Sequence, residues 1–181
     1  MPNYQQITEI LKAGGVILYP TDTVWGIGCD ATNPTAVARI FTIKQRSESK
    51  SLIILVSSIA MLREYIADLP QNILNYLQKI NEPTTIIYEK PQLLAPNVIA
   101  ADNTVAIRLV QDPFCQKMIT LLGKPIVSTS ANISGLFWCC FFLTIRYYII
   151  TLCNKCSRNI SKTQRSRLPT DISRSRDNRF S

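Results

Sequence analysis

Apolar side chains in this chain fall first at helical spacing and then in short unbroken runs. Ile7, Ile10 and Leu11 share one helical face, and Gly14-Gly15 follows as a stop. Val16 to Tyr19 is a buried strand, ended by Pro20 and Thr21. Gly26 and Gly28 flank Ile27 in what reads as a loop at the strand end, where backbone can pass close to a ligand and where α/β domains place their ligands. Pro34 takes a first helical position after Thr32-Asn33, and Val37, Ile40, Phe41 and Lys44 carry one helix to near Arg46. Leu52 to Val56 is a strand, and Ile59 to Ile66 and Pro70 to Ile80 are helices. Thr84 to Tyr88 and Thr104 to Leu109 are strands by β-branched content. A helix over Pro113 to Leu122 turns through Gly123-Lys124-Pro125 into the strand Ile126-Val127.

This alternation predicts an α/β fold: a single domain whose twisted, mostly mixed β-sheet is flanked by helices. The sheet is expected to be mixed because some connections are too short for parallel crossovers. At Gly135 the pattern stops. Leu136 to Ile150 is almost wholly apolar and aromatic, and beyond Cys156 the chain is rich in Ser, Arg and Asn without core periodicity. The division is therefore residues 1–135 as the domain and residues 136–181 as an atypical basic tail, aromatic and then polar, whose second part looks disordered. Leu136 to Cys153 sits near the lower length limit for a membrane span, and Arg146 inside it would cost about 2.5 to 3.5 kcal/mol near a helix centre, so no membrane association is expected.

Length and composition agree with one domain: 181 residues, 46% of them hydrophobic, can bury a real core. The net charge of +8 suggests an anionic partner until its distribution is followed. Residues 1–135 carry 11 basic and 10 acidic side chains, whereas residues 136–181 carry 9 and 2, so the excess belongs to the tail. Of 6 cysteines, only Cys29 and Cys115 precede the tail, and no disulfide framework is implied. The polar N-terminus gives no secretory signal, and a reducing, cytoplasmic compartment is the reading that follows.

The candidate chemistry lies in three segments far apart in sequence. Lys44, Arg46 and Lys50 put three cations within seven residues, suited to the spread charge of a triphosphate, although a solvated helix end carries basic side chains equally well. Ser128, Thr129, Ser130 and Asn132 offer hydroxyls and an amide directly after a buried strand, for phosphate, ribose or metal-bound water, or for a turn that caps a helix. Pro20-Thr21-Asp22-Thr23 can seat a small polar substrate, with Trp25 as an apolar wall. Arg108 lies in a strand otherwise suited to burial and needs either a carboxylate of the fold, with Asp22, Asp30 and Asp102 the candidates, or a bound anion. With no histidine, a Ser-His-Asp or Cys-His device and a His-based metal site are excluded, and no P-loop pattern occurs. Cys153-Asn154-Lys155-Cys156 is a lone pair of cysteines, and no metal ligands are assigned.

These segments together resemble the threonylcarbamoyladenylate synthase family, the YrdC-like proteins. The likeness runs from about Gly14 to Gly135: Gly15-Val16-Ile17-Leu18-Tyr19-Pro20-Thr21-Asp22-Thr23-Val24-Trp25-Gly26, then Lys44-Gln45-Arg46 with Lys50, Pro83-Thr84-Thr85, Ala106-Ile107-Arg108, and Ser128-Thr129-Ser130-Ala131-Asn132-Ile133-Ser134-Gly135. The resemblance implies a YrdC-like domain that joins L-threonine, bicarbonate or CO2, and ATP into threonylcarbamoyladenylate and pyrophosphate, a nucleotidyltransferase reaction. A partner threonylcarbamoyl transferase would then modify adenosine in tRNA, which this chain would meet only indirectly. By the same resemblance Lys44, Arg46 and Lys50 hold the phosphates and carbamate, with Lys44 and Arg46 catalytic. Ser128, Ser130 and Asn132 complete the ATP site. Thr21, Thr23 and Arg108 face threonine, and Mg²⁺ is expected with ATP.

The chain departs from the family twice. Ile80-Asn81-Glu82 stands where Trp-Pro-Gly is common, and residues 136–181 do not read as the loop, helix and strands that complete the domain. An altered reading frame near codon 136 would explain the second departure, and so would a genuine fusion. Two other functions are carried beside the synthase: a non-catalytic RNA-binding module, and an inactive product of a damaged gene.

Overall fold

A computed structural model describes residues 3–19, 25–45, 52–79 and 82–131. The elements run α1 (Tyr4–Lys12), β1 (Ile17–Tyr19), β2 (Gly26–Asp30), α2 (Pro34–Lys44), β3 (Ile53–Val56), α3 (Ile59–Tyr65), α4 (Gln71–Lys79), β4 (Thr85–Glu89), a 3-10 turn (Pro96–Val98), β5 (Thr104–Leu109), α5 (Pro113–Leu122) and β6 (Ile126–Ser130). The change of character at Gly135 and the tail 136–181 lie outside the described residues.

Helix boundaries follow local chemistry. The Asn33 side chain accepts from the backbone N–H of Thr35 and Ala36, with Pro34 next in line, so orphan donors at the start of α2 are satisfied. Asp112 and Pro113 repeat the arrangement at α5, where Asp112 Oδ1 accepts from the Cys115 N–H at 2.8 Å. Gly123 ends α5 in the left-handed region at φ 72°. α2 ends at Lys44, two residues short of the expected end near Arg46, where Gln45 takes a left-handed conformation at φ 49°.

The six strands form one sheet in the order β1-β2-β6-β3-β5-β4. Only β3 and β5 pair in parallel, and every other neighbour pair is antiparallel. Strand alternation then sorts side chains onto two helix-covered faces. Ile54, Val56, Val105, Ile107 and Val127 pack with Val37, Ile40 and Phe41 of α2, Leu62 of α3 and Leu77 of α4. On the opposite face Ile17, Tyr19, Leu55 and Ile126 pack with Leu11 of α1 and Met118, Ile119 and Leu122 of α5. The expected mixed α/β sheet is therefore present. Among the described residues no helix is long and apolar enough to cross a membrane.

Two segments differ from the sequence expectation. Gly26 to Asp30 is not a ligand loop but strand β2, buried throughout, because antiparallel neighbours on both sides supply the ladder its own composition disfavours. The close approach its glycines permit is to protein: a Cβ on Gly28 would lie 2.5 Å from the Val127 carbonyl oxygen and 3.0 Å from Cε1 of Tyr19. The second segment is β6, which continues through Ser128, Thr129 and Ser130, each paired with a residue of β2. The hydroxyl cluster is thus part of the sheet rather than a turn after it.

Candidate functional site

The two halves of the sequence pattern meet at the end of β6. Lys44 is 2% exposed, and its Nζ donates to the Ser130 carbonyl at 2.6 Å across 86 residues of sequence. A cation this deep is not a solvated helix-end lysine. Keeping its charge requires polar partners, and the Ser130 carbonyl is one of them. The sequence places Lys44 there by ending α2 at that residue, one helical turn after Ile40 and Phe41 have docked the helix on the sheet.

On the α1/α5 face of the sheet lies a cavity of about 250 Å³. Ser128, Thr129 and Ser130 form its hydroxyl side, Ile53 and Leu55 of β3 its apolar floor, and Arg108 of β5 a cationic wall. Asp112 and Cys115, at the start of α5, close another side. The registers explain the grouping: Ser128 stands opposite Gly28 on one side and Ile53 on the other, and Leu55 stands opposite Arg108. Lys44 does not line this space and is bonded to its rim at the Ser130 carbonyl.

Arg108 pairs with neither Asp30 nor Asp102, the two of its three sequence candidates that lie among the described residues. Its Nε donates to Thr85 Oγ1 at 2.9 Å, a partner set opposite it by the β4–β5 register. Asp30 is committed to Lys124 at 3.1 Å and to Thr32, and Asp102 accepts from Thr104. The two ion pairs among the described residues, Lys124 with Asp30 and Lys90 with Asp68, both leave Arg108 out. Its guanidinium wall is accordingly open to an anion in the cavity.

Ser128 carries a contact the sequence did not signal. The Tyr19 hydroxyl donates to Ser128 Oγ at 2.6 Å. Tyr19 is 2% exposed, and burial pushes its phenol far above the usual tyrosine range, so the group is a neutral donor at any ordinary pH. Trp25, expected as a wall of the substrate seat, packs with Ile27, Ile43 and Ala131, and its carbonyl accepts from the Ala131 N–H at 2.8 Å, while the seat itself, residues 20–24, lies outside the described residues. Thr21, Thr23, Arg46, Lys50 and Asn132 lie outside the described residues, as does Asp22. Of the sequence candidates, Ser128, Ser130 and Arg108 share one cavity, and Lys44 is bonded to its rim.

For a divalent cation the lining offers hydroxyl and carboxylate oxygens, from Ser128, Thr129, Ser130 and Asp112, beside the thiol of Cys115. Among the described residues no group of three or more His, Cys, Asp or Glu could hold a metal ion. Such a donor set fits a hard ion that arrives with its own phosphate and water ligands, not one held in a protein cage.

Comparison with known proteins gives consistent results. Residues 9–146 match the profile of the Sua5/YciO/YrdC family, described as telomere recombination. A threonylcarbamoyl-AMP synthase of Photobacterium profundum is 38% identical over 140 residues, which cover 75% of each chain. Among solved structures, P. abyssi Sua5 complexed with L-threonine superposes with a TM-score of 0.68 at 28% identity, covering 75% of this chain and 41% of that one. E. coli YciO superposes with a TM-score of 0.63 at 27% identity, covering 75% and 68%. The chain thus spans about two fifths of the length of the archaeal Sua5 chain.

Proposed function

The chain belongs to the Sua5/YciO/YrdC family, and from that premise we propose that it is an L-threonylcarbamoyladenylate synthase, joining L-threonine, bicarbonate or CO2, and ATP with release of pyrophosphate. The observation that carries the proposal is the Lys44 to Ser130 bond, which brings a buried cation to the hydroxyl strand that borders the Arg108 cavity. Relatives named threonylcarbamoyl-AMP synthase and the threonine complex of Sua5 support it.

In chemical terms the reaction is a nucleotidyl transfer. Threonine's amine takes up CO2 as a carbamate, a carbamate oxygen forms a bond to the α-phosphorus, and the bond from that phosphorus to the pyrophosphate oxygen breaks. No covalent enzyme nucleophile is needed, so the absence of histidine is no obstacle. What the protein must supply is alignment and neutralisation of charge. Lys44, with Arg46 and Lys50, would hold phosphate and carbamate oxygens, and Ser128, Ser130 and Asn132 the nucleotide. Arg108, held at Nε by Thr85, would present its remaining N–H groups to the threonine carboxylate, with Thr21 and Thr23 beside the substrate. Mg²⁺ bound with ATP would neutralise phosphate oxygens, near the hydroxyls of Ser128 and Ser130. The site-bearing domain is assigned to residues 1–135, the compartment to the cytoplasm, and the product to a partner transferase that modifies tRNA.

The test is pyrophosphate release by the purified chain. Release from ATP is expected only when threonine and bicarbonate are both present, and equal release without threonine would sink the proposal.

A further inference from the structure

Tyr19 takes no place in the cavity lining, yet its hydroxyl is bonded to Ser128, which does. Its strand, β1, is separated from β6 by β2, so the side chain must cross a whole strand to reach Ser128. It crosses at Gly28, which stands opposite Ser128 in the register. The missing side chain is what makes the passage possible: a Cβ there would sit 3.0 Å from Tyr19 Cε1 and 3.5 Å from the Tyr19 hydroxyl oxygen. On its other side the ring is held by Phe114 of α5, with centroids 6.4 Å apart. Gly28, Phe114 and the 2.6 Å bond therefore fix the phenol in one position.

A tyrosine hydroxyl has one proton, and here Ser128 Oγ receives it. An Oγ that accepts from below has its own hydrogen left to give elsewhere, and none of the described residues takes it. Ser128 borders the cavity. We propose that Tyr19 is a positioning residue for this site, holding Ser128 Oγ as an acceptor so that the Ser128 hydrogen points into the cavity and donates to an oxygen of the bound nucleotide. The inference rests on the reading of the cavity as an ATP site. Tyr19 itself never meets the ligand, and its effect passes wholly through Ser128.

Titrations of ATP, and separately of threonine, into the full chain test this with the wild type, Tyr19→Phe, Ser128→Ala and the double variant. Phenylalanine keeps the ring against Gly28 and Phe114 and removes only the donor. ATP affinity is expected to fall about three- to ten-fold in Tyr19→Phe, the scale of one hydrogen bond, with threonine affinity unchanged. The double variant should bind ATP no more weakly than Ser128→Ala, because a residue acting through Ser128 has nothing left to act on. Wild-type ATP affinity in Tyr19→Phe, or losses that multiply in the double variant, would overturn the assignment. Should Tyr19→Phe fail to fold, 3,5-difluorotyrosine at position 19 keeps ring and hydroxyl while strengthening the donor. It should then tighten ATP binding, and an unchanged affinity overturns the proposal. A wild-type chain that takes up no ATP overturns the nucleotide reading and this inference with it. ATP uptake indifferent to Tyr19 overturns this inference alone.

Discussion

At the scale of single residues, two cations stand in different settings. Lys44 is buried and bonded to the backbone of β6, so Lys44→Ala removes both a charge and a donor to the Ser130 carbonyl. A loss of about 2 kcal/mol or more in transition-state stabilisation is expected in kcat/KM, together with a lower melting temperature from the lost bond between α2 and β6. Wild-type values of both would mean that the bond is incidental. Arg108 stands in the cavity wall with Thr85 as its partner, and Arg108→Ala should weaken threonine more than ATP in separate titrations. Equal weakening of both ligands, or of neither, would return Arg108 to a structural role. The grouping of Lys44, Ser130 and Arg108 was legible in the sequence because their residue types and order form a pattern. The burial of Lys44 was not, since a lysine at a helix end reads the same whether the end is wet or dry. The Tyr19 to Ser128 contact joins residues 109 apart with no local mark at either.

Among elements, those with their own punctuation were the legible ones. α5 runs from Pro113 to Leu122 as expected, because Asp112, Pro113 and Gly123 state its limits chemically. β5 likewise keeps the expected limits Thr104–Leu109. β2 was read as loop, since Gly-Ile-Gly-Cys-Asp lacks strand propensity and becomes a strand only through its neighbours on both sides. Its dependence on close fit gives a direct test. Gly28→Ala would press a methyl group against the Val127 carbonyl and the Tyr19 ring, and should cost about 1 to 3 kcal/mol in denaturant unfolding. An unchanged midpoint would show that β2 and β6 can part without penalty.

For the molecule as a whole, the buried phenols and thiol set an alkaline limit. Burial pushes the Tyr88 phenol up to about 12 and raises Tyr19, Tyr65 and the Cys29 thiol as well. In the unfolded chain these groups lose their protons at ordinary values, near 10 for tyrosine and 9 for cysteine. Above those values the unfolded state binds fewer protons than the folded one, so stability falls as pH rises. Stability from these groups should be whole below pH 9 and decline steeply between pH 10 and 12, as denaturant midpoints measured across that range would show. A flat profile there would contradict their burial. An α/β sheet of mixed direction was legible from element lengths and short connections, whereas the strand order was not. Nothing local tells β6 to enter between β2 and β3.

That late entry governs how the chain can be made. β1 and β2 form one ribbon and β3, β5 and β4 another, and among the described strands β6 alone is hydrogen-bonded to both. During synthesis from the N-terminus, at roughly 5 to 20 residues per second, both ribbons are complete before residues 126–130 exist. Until then each exposes an open edge, and the Lys44 cation has no Ser130 carbonyl to meet. The nascent chain is thus held in two halves until β6 emerges, and the bond from Lys44 to Ser130 forms in the same event that joins them.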